Sequence, residues 1–122
     1  MILIDYKDTR PLYEQVSEKF QTLIEKGVLK PDTQMPSVRA LAVELSINPN
    51  TIQKALIELE NDGLIYTERT NGKYVTENKK LIEKTKKELA KQKVHNYLKD
   101  MQELGISYEN ALKYLEELGG NK

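Results

Sequence analysis

Apolar residues recur every three or four positions in three stretches of the first half of the chain, which is the spacing of amphipathic helices. Gly27 is placed to end the first helix in a left-handed conformation, and Ser37 and Asn48 are placed to cap the starts of the second and third. The pattern therefore predicts three helices, of which the last two are joined by a short turn. Their predicted buried faces are Leu12, Val16, Phe20, Leu23 and Ile24; Val38, Leu41, Ala42 and Leu45; and Ile52, Ala55, Leu56 and Leu59.

After Gly63 the pattern changes from helical spacing to residues that favour strands. Two such segments, 64–69 and 73–76, flank Asn71-Gly72, a strong signal for the turn of a β-hairpin. Three short helices followed by a hairpin form a winged helix-turn-helix. The predicted fold class is therefore mainly α with a small β-hairpin, in which a winged helix-turn-helix domain precedes a C-terminal helical tail.

The last third of the chain has helical spacing again, in two segments separated by Gly105 and Ser107. Steps of four and three residues in the first segment produce a heptad-like apolar seam. Two helices of this size cannot bury their apolar faces alone, so we expect them to pack on the first domain or on a second copy. The predicted domains are a winged helix-turn-helix domain over 1–78 and a two-helix dimerisation tail over 79–122. Predicted dimer contacts are Ala90, Val94, Tyr97, Met101, Leu104, Leu112 and Leu115, and the inner face of the last helix is predicted to be Ala111, Leu112, Leu115 and Leu118.

Charge is balanced over the chain but is distributed unevenly along it. Residues 1–78 carry 9 basic and 12 acidic side chains, whereas 79–122 carry 10 basic and 7 acidic ones, and the segment 79–93 is rich in lysine. Net charge does not decide nucleic-acid binding, because the local field at the contact surface steers phosphate. The lysine-rich segment fits either phosphate contacts or a solvated helix face, and we favour the solvated face.

The composition leaves little material for an enzyme or a metal site. The absence of cysteine excludes disulfides, thiolate metal sites and cysteine nucleophiles. His95 is the single histidine, and no HExxH, GxSxG or phosphate-binding glycine loop occurs. We therefore predict no catalytic residue, no metal and no cofactor. No apolar run is long enough to span a membrane, and the charged start of the chain is unlike a signal peptide, so we expect a cytoplasmic protein.

The third predicted helix, 49–61, has side chains suited to reading DNA. In a helix-turn-helix, the N-terminal end of the second helix of the motif lies against base edges in the major groove. Asn50, Gln53 and Lys54 are predicted to point outwards there, because amides pair with adenine edges and lysine reaches guanine or phosphate. Thr51 is placed to bind a phosphate at the helix start.

Further DNA contacts are predicted from the neighbouring elements. Arg39 is placed to bind the DNA backbone or a base, and the wing, 69–75, is predicted to lie near the minor groove with Gly72, Lys73 and Tyr74. Plainer roles stay open for many of these residues: helix caps for Ser37 and Asn48, a bond inside its own turn for Thr51, a surface ion pair for Arg39, and solvated charges for Lys54 and Lys73.

Three separated motifs lie in this part of the chain. They are Met35-Pro36-Ser37-Val38-Arg39-Ala40-Leu41-Ala42, then Asn48-Pro49-Asn50-Thr51-Ile52 with Gly63-Leu64-Ile65, and finally Arg69-x-x-Gly72-x-Tyr74-Val75. Together they resemble the DNA-binding domain of the GntR family, over roughly residues 10–76. The short two-helix tail is similar to that of the YtrA subfamily.

The resemblance implies a homodimeric bacterial transcription factor, usually a repressor, that binds a palindromic double-stranded DNA operator and dimerises through its tail. Asp32 and Thr70 stand where the family usually has glycine, and Lys73 where it usually has threonine. Pro49 and Gln53 stand where many members have arginine, so the docking mode is carried over but the base preference is not. The DNA contacts that the resemblance implies are Ser37, Arg39, Asn48, Asn50, Thr51, Gln53 and Gly72.

Two further interpretations stay open. The net-acidic charge of residues 1–78 also fits a winged-helix module that binds a protein partner instead of DNA. An unknown small-molecule effector is a candidate partner in a pocket at the dimer interface, although aromatic residues at helical spacing more often form a core. Its candidate lining is Tyr97, Met101, Tyr108 and Tyr114.

Overall fold

A computed structural model describes residues 4–5 and 7–120 and divides the chain into two compact units, Met1–Lys86 and Lys87–Lys122. The order of elements confirms the predicted fold class, mainly helical with one antiparallel hairpin. The division between the units falls within the fourth helix, whereas the functional boundary after residue 78 stays a prediction. The elements are α1 Leu12–Glu25, α2 Val38–Leu45, α3 Pro49–Asn61, β1 Ile65–Glu68, β2 Gly72–Val75, α4 Lys79–Glu103 and α5 Tyr108–Gly119.

The first unit is organised around α3, which packs against α1, α2 and β1. The predicted apolar faces of the three helices supply most of its core, and the two strands add to it. Burying one large apolar side chain contributes about 1.5–3 kcal/mol, so this core is the main stabilising term of the unit. The largest fully buried side chains are Val16, Phe20, Leu41, Ile52, Leu56, Leu59, Leu64, Ile65 and Val75.

The connection between α2 and α3 is fixed by two caps and one left-handed residue. The Ser37 hydroxyl oxygen accepts from the Ala40 amide at 3.1 Å, and Asn48 Oδ1 accepts from the Asn50 amide at 2.8 Å. Ser46 has a φ of 54°, which reverses the chain after α2, and the buried side chain of Ile47 fixes the turn to the core. The two capping predictions are confirmed, and the turn sets the relative directions of α2 and α3.

The hairpin is shorter than the sequence predicts, and a third segment pairs with it. β1 and β2 are antiparallel with Tyr66 opposite Tyr74 and Thr67 opposite Lys73. Gly72 opens β2 with a φ of 95°, a conformation that side chains with a Cβ rarely adopt. The backbone of 32–35 bonds to the other edge of β2, through three N–H···O contacts of 2.7–2.9 Å. β2 therefore lies between β1 and the loop that precedes α2.

The start of α4, residues 79–86, belongs to the first unit and packs on α1. Ile82 and Thr85 are buried, and the Thr85 hydroxyl donates to Glu25 Oε2 at 3.0 Å. Gln21 Nε2 donates to the Thr85 carbonyl oxygen at 3.4 Å. This part of α4 therefore contributes to the fold of the first unit.

The second unit consists of the rest of α4 and α5. Gly105, with a φ of 78°, reverses the chain, and the Ser107 hydroxyl caps α5 by accepting from the Asn110 amide at 3.2 Å. Ala111 is fully buried, and the Tyr97 hydroxyl donates to its carbonyl oxygen at 2.7 Å. Both the turn and the cap agree with the sequence-based expectation.

Within this single chain, the predicted inner face of α5 is buried at only one of its four residues. Ala111 is buried, but Leu112, Leu115 and Leu118 are exposed, the last at 88%. Two helices share only one narrow line of contact, so apolar residues beside that line stay open to solvent. Val94 and Leu104 on the predicted seam of α4 are exposed for the same reason.

Candidate nucleic-acid interface

The N-terminal end of α3 presents polar side chains on the face opposite the core. Ile52, Ala55 and Leu56 point into the core, so helical geometry leaves Asn50 and Gln53 exposed on the other side. Both amides match the donor and acceptor pattern of an adenine edge in the major groove. This end of α3 therefore has the exposure and chemistry expected of a recognition helix.

The predicted phosphate contacts lie at the starts of α2 and α3. Arg39 is exposed near the start of α2, and no ion pair involves it within 4–5 and 7–120, so the surface ion pair considered from the sequence is not observed. Ser37 and Asn48 use an oxygen as cap acceptor, which leaves the hydroxyl proton and the side-chain amide as donors. Capping and phosphate binding are therefore compatible at both residues. Thr51, in the first turn of α3, is half-buried.

Lys54 is turned towards α1. Its ammonium nitrogen lies 4.0 Å from the centroid of the Tyr13 ring, a cation–π contact. At an exposed site such a contact is worth about 0.5–1 kcal/mol, which a phosphate contact would offset. Lys54 is therefore held by the Tyr13 ring in this structure, but weakly enough that its ammonium group could exchange this contact for a phosphate.

Lys73, predicted as a wing contact, joins the hairpin to the C-terminal end of α3. Its ammonium donates to Glu60 Oε1 at 2.7 Å and to Thr67 Oγ1 at 2.9 Å, while the Thr67 hydroxyl donates to Glu60 Oε2 at 2.8 Å. The hydrogen bond from Lys73 is the main cause of a lowered pKa at Glu60, and the bond from Thr67 adds to it. A DNA contact and a solvated charge were the two roles considered for Lys73 from the sequence, and neither role includes the ion pair with Glu60.

The opposite face of the hairpin carries a second contact with the preceding loop. The Tyr66 hydroxyl donates to Asp32 Oδ1 at 2.8 Å, and the Tyr66 and Tyr74 rings stack with centroids 5.8 Å apart. The bond to Asp32 raises the pKa of Tyr66 to about 12. Asp32 has a φ of 61°, which explains why glycine also suits this position, and its carboxylate adds the bond to Tyr66.

The tip of the wing is held by a single side chain from the loop. Gln34 Nε2 donates to the Asn71 carbonyl oxygen, and a Cβ added at Gly72 would lie 3.2 Å from the same nitrogen. Arg69 is exposed at the tip, with no ion pair inside the described ranges 4–5 and 7–120. No sequence pattern pointed to the contacts of Glu60, Asp32 or Gln34, because each depends on how a different element meets the hairpin.

The predicted dimer residues lie on the second unit. Some of them line an open apolar groove of about 480 Å³. Three of the four residues predicted to line an effector site, Tyr97, Met101 and Tyr114, line this groove, and Tyr108 lines a separate one. Leu115 and Leu118 complete the apolar wall. Of the other predicted dimer residues, Ala90, Val94, Leu104 and Leu112 are exposed.

Within 4–5 and 7–120, no three histidine or acidic side chains lie close enough to hold a metal ion. None of the helices in that part of the chain is long and apolar enough to cross a membrane.

Comparison with known proteins identifies the family. The family model described as bacterial regulatory proteins, gntR family, matches residues 12–75, which include α1, α2, α3 and the hairpin. The chain belongs to the GntR family. It is also 37% identical to the HTH-type transcriptional repressor YtrA of Bacillus subtilis, over 99% of this chain and 94% of that protein.

Solved structures agree with this assignment. A GntR family transcriptional regulator from Listeria monocytogenes superposes with a TM-score of 0.78 and 39% identity, over 90% of this chain and 96% of the other. The AraR DNA-binding domain in complex with operator ORE1 superposes with a TM-score of 0.53 and 28% identity, over 61% of this chain and 90% of the other. The chain is therefore a GntR-family transcriptional regulator of YtrA type with a DNA-binding winged helix, and it is not an enzyme.

Proposed function

We propose that this regulator is a homodimeric repressor that binds a palindromic operator, with the N-terminal end of α3 in the major groove and the wing near the minor groove. The exposed pair Asn50 and Gln53 carries this proposal. Both side chains can hydrogen-bond to base edges, and both lie on the face of α3 opposite the core. The solved AraR domain with its operator and the relation to a YtrA repressor support it.

The remaining contacts position the protein on the DNA backbone. We assign phosphate contacts to Arg39 and Thr51 and, through their spare donors, to Ser37 and Asn48. Gly72 has no side chain, which lets the wing backbone approach a groove closely. Lys54 is assigned to the same surface, since its cation–π contact is weak enough to be exchanged for a phosphate. Lys73 and Tyr74 belong to the wing, where Lys73 binds Glu60 and Tyr74 stacks on Tyr66.

Dimerisation is assigned to the tail, 79–122, because the second unit exposes apolar residues that its own two helices do not cover. Val94, Leu104, Leu112, Leu115 and Leu118 are exposed in a unit that starts only at residue 87. A second copy related by a two-fold axis would cover the same patch on both chains. Binding to a palindrome requires two copies of α3 about one DNA turn apart, and a two-fold dimer is the arrangement that supplies two copies. We assign a small-molecule effector to the groove lined by Tyr97 and Met101.

Fluorescence anisotropy on duplexes tiled from the region upstream of the protein's own gene tests the proposal. We expect one palindromic tile to bind tightly, resist scrambled competitor and weaken steeply with salt. Asn50→Ala should weaken binding to that tile by about 1–3 kcal/mol. The matched control is Asn61→Ala, which removes the same exposed side chain at the other end of α3 and should leave affinity unchanged.

Two outcomes would contradict the proposal. Equal, weak binding to every tile would reject an operator in that region and favour the protein-binding alternative. Equal losses from Asn50→Ala and Asn61→Ala would reject the placement of the α3 N-terminus in the groove.

A further inference from the structure

The wing is held on both faces by side chains from other elements. Successive residues of a strand point to opposite faces, and directly paired residues share a face. Thr67 and Lys73 therefore lie on one face of the hairpin, where Glu60 of α3 meets them, and Tyr66 and Tyr74 lie on the other. The loop before α2 reaches that second face through Asp32.

The contact with α3 is a closed network of three side chains. Glu60 accepts from Lys73 on one carboxylate oxygen and from Thr67 on the other, while Lys73 also donates to Thr67. Only 21% of the Lys73 side chain is exposed, against 37% for Glu60. The Lys73 ammonium is thus directed towards α3, whereas Arg69 remains exposed at the tip of the wing.

We propose that Lys73 and Glu60 are positioning residues that fix the angle between the wing and the recognition helix, so that both meet one DNA duplex in a defined arrangement. The inference rests on the proposed function, because it concerns how the same surface is held together. Lys73 then acts on DNA binding through Glu60, and Glu60 favours binding although its charge repels phosphate.

The sign of the Glu60 effect separates this role from direct contact. Removing a carboxylate near DNA ordinarily strengthens binding, because it removes repulsion from phosphate. If Glu60 holds the wing, its removal weakens binding instead. A direct Lys73–phosphate contact would make Glu60→Gln neutral or favourable, since it would release the ammonium for DNA.

The experiment compares K73M, E60Q, the double variant and the matched control E58Q, which removes an exposed carboxylate from the same helix. The probe is the tightest duplex that wild-type protein selects from a random-sequence library. Affinity is measured between about 50 mM and 200 mM salt, well below the melting temperature of every variant. Melting temperatures recorded alongside separate a loss of stability from a loss of wing placement.

We expect K73M and E60Q each to weaken binding by about two- to fivefold, the range of a surface ion pair, and the double variant to be no weaker than either. The salt slope should stay unchanged in all of them, and E58Q should bind as wild type or more tightly. The proposal is overturned if E60Q binds as tightly as E58Q, or if K73M lowers the salt slope by about 0.9, the value for one lost phosphate contact. Failure of wild-type protein to select any duplex would instead reject the proposed function.

Discussion

The two units of the chain differ in how far their apolar residues are buried. In the first, Phe20, Leu41 and Ile52 are completely buried, and the N-terminal turns of α4 add Ile82 to the same core. In the second, Leu115 and Leu118 stay open to solvent, and Ala111 is the one buried apolar residue among those described, 87–120. The difference shows that the first unit buries an apolar core of its own, whereas the second leaves an apolar surface open, which is what the proposed dimerisation through the tail requires.

The largest expected effect lies in the core of the first unit. Leu59→Ala removes a fully buried side chain of α3, so the free energy of unfolding should fall by about 2–5 kcal/mol. Urea unfolding followed by circular dichroism measures this loss, which should not depend on protein concentration. A loss below about 1 kcal/mol would show that α3 is not the centre of a packed core.

The second prediction concerns the exposed leucines of α5. Replacing Leu115 and Leu118 together by serine should weaken self-association by about a hundredfold or more, because each leucine buried at an interface contributes about 1.5–3 kcal/mol. Sedimentation equilibrium measures the change. Val28→Ser is the matched control, since Val28 is also exposed but lies in the first unit. If Val28→Ser weakens association as much as the leucine pair does, the tail is not the dimer interface.

The smallest expected effect is a pH dependence at the wing. The pKa of Tyr66 is raised from 10.0 to about 12 in the folded protein, so the unfolded chain loses this proton first as pH rises. Stability from this group is fully present below pH 10 and is lost between about pH 10 and 12. Tyr66→Phe should remove that part of the pH dependence in urea unfolding. Parallel curves for wild type and Tyr66→Phe would contradict the bond to Asp32.

The sequence predicts the helices and caps of the first unit because these depend on neighbours along the chain. Gly27, Ser37 and Asn48 were each assigned from local spacing alone, and each has the predicted conformation or bond. The pairing of β2 with 32–35 was missed, because short segments without alternation give no signal for a distant partner.

The candidate site is less predictable than the fold for a similar reason. Exposure of Asn50 and Gln53 follows from the helical period, because the buried residues of α3 lie on the opposite face. The partners of Lys73 and Tyr66 depend on strand register and on how the end of α3 meets the hairpin. The exposed leucines of α5 show the same limit, because an apolar pattern predicts that a face is covered without saying by which molecule.

The most direct test compares the full chain with residues 1–86, a boundary that retains Ile82 and Thr85 in their packed positions. Both proteins are titrated against duplexes that contain one operator half-site or two. The account predicts that residues 1–86 fold and bind both duplexes equally, whereas the full chain prefers two half-sites by about a hundredfold or more. An equal preference for two half-sites in both proteins would contradict the division of roles between the units.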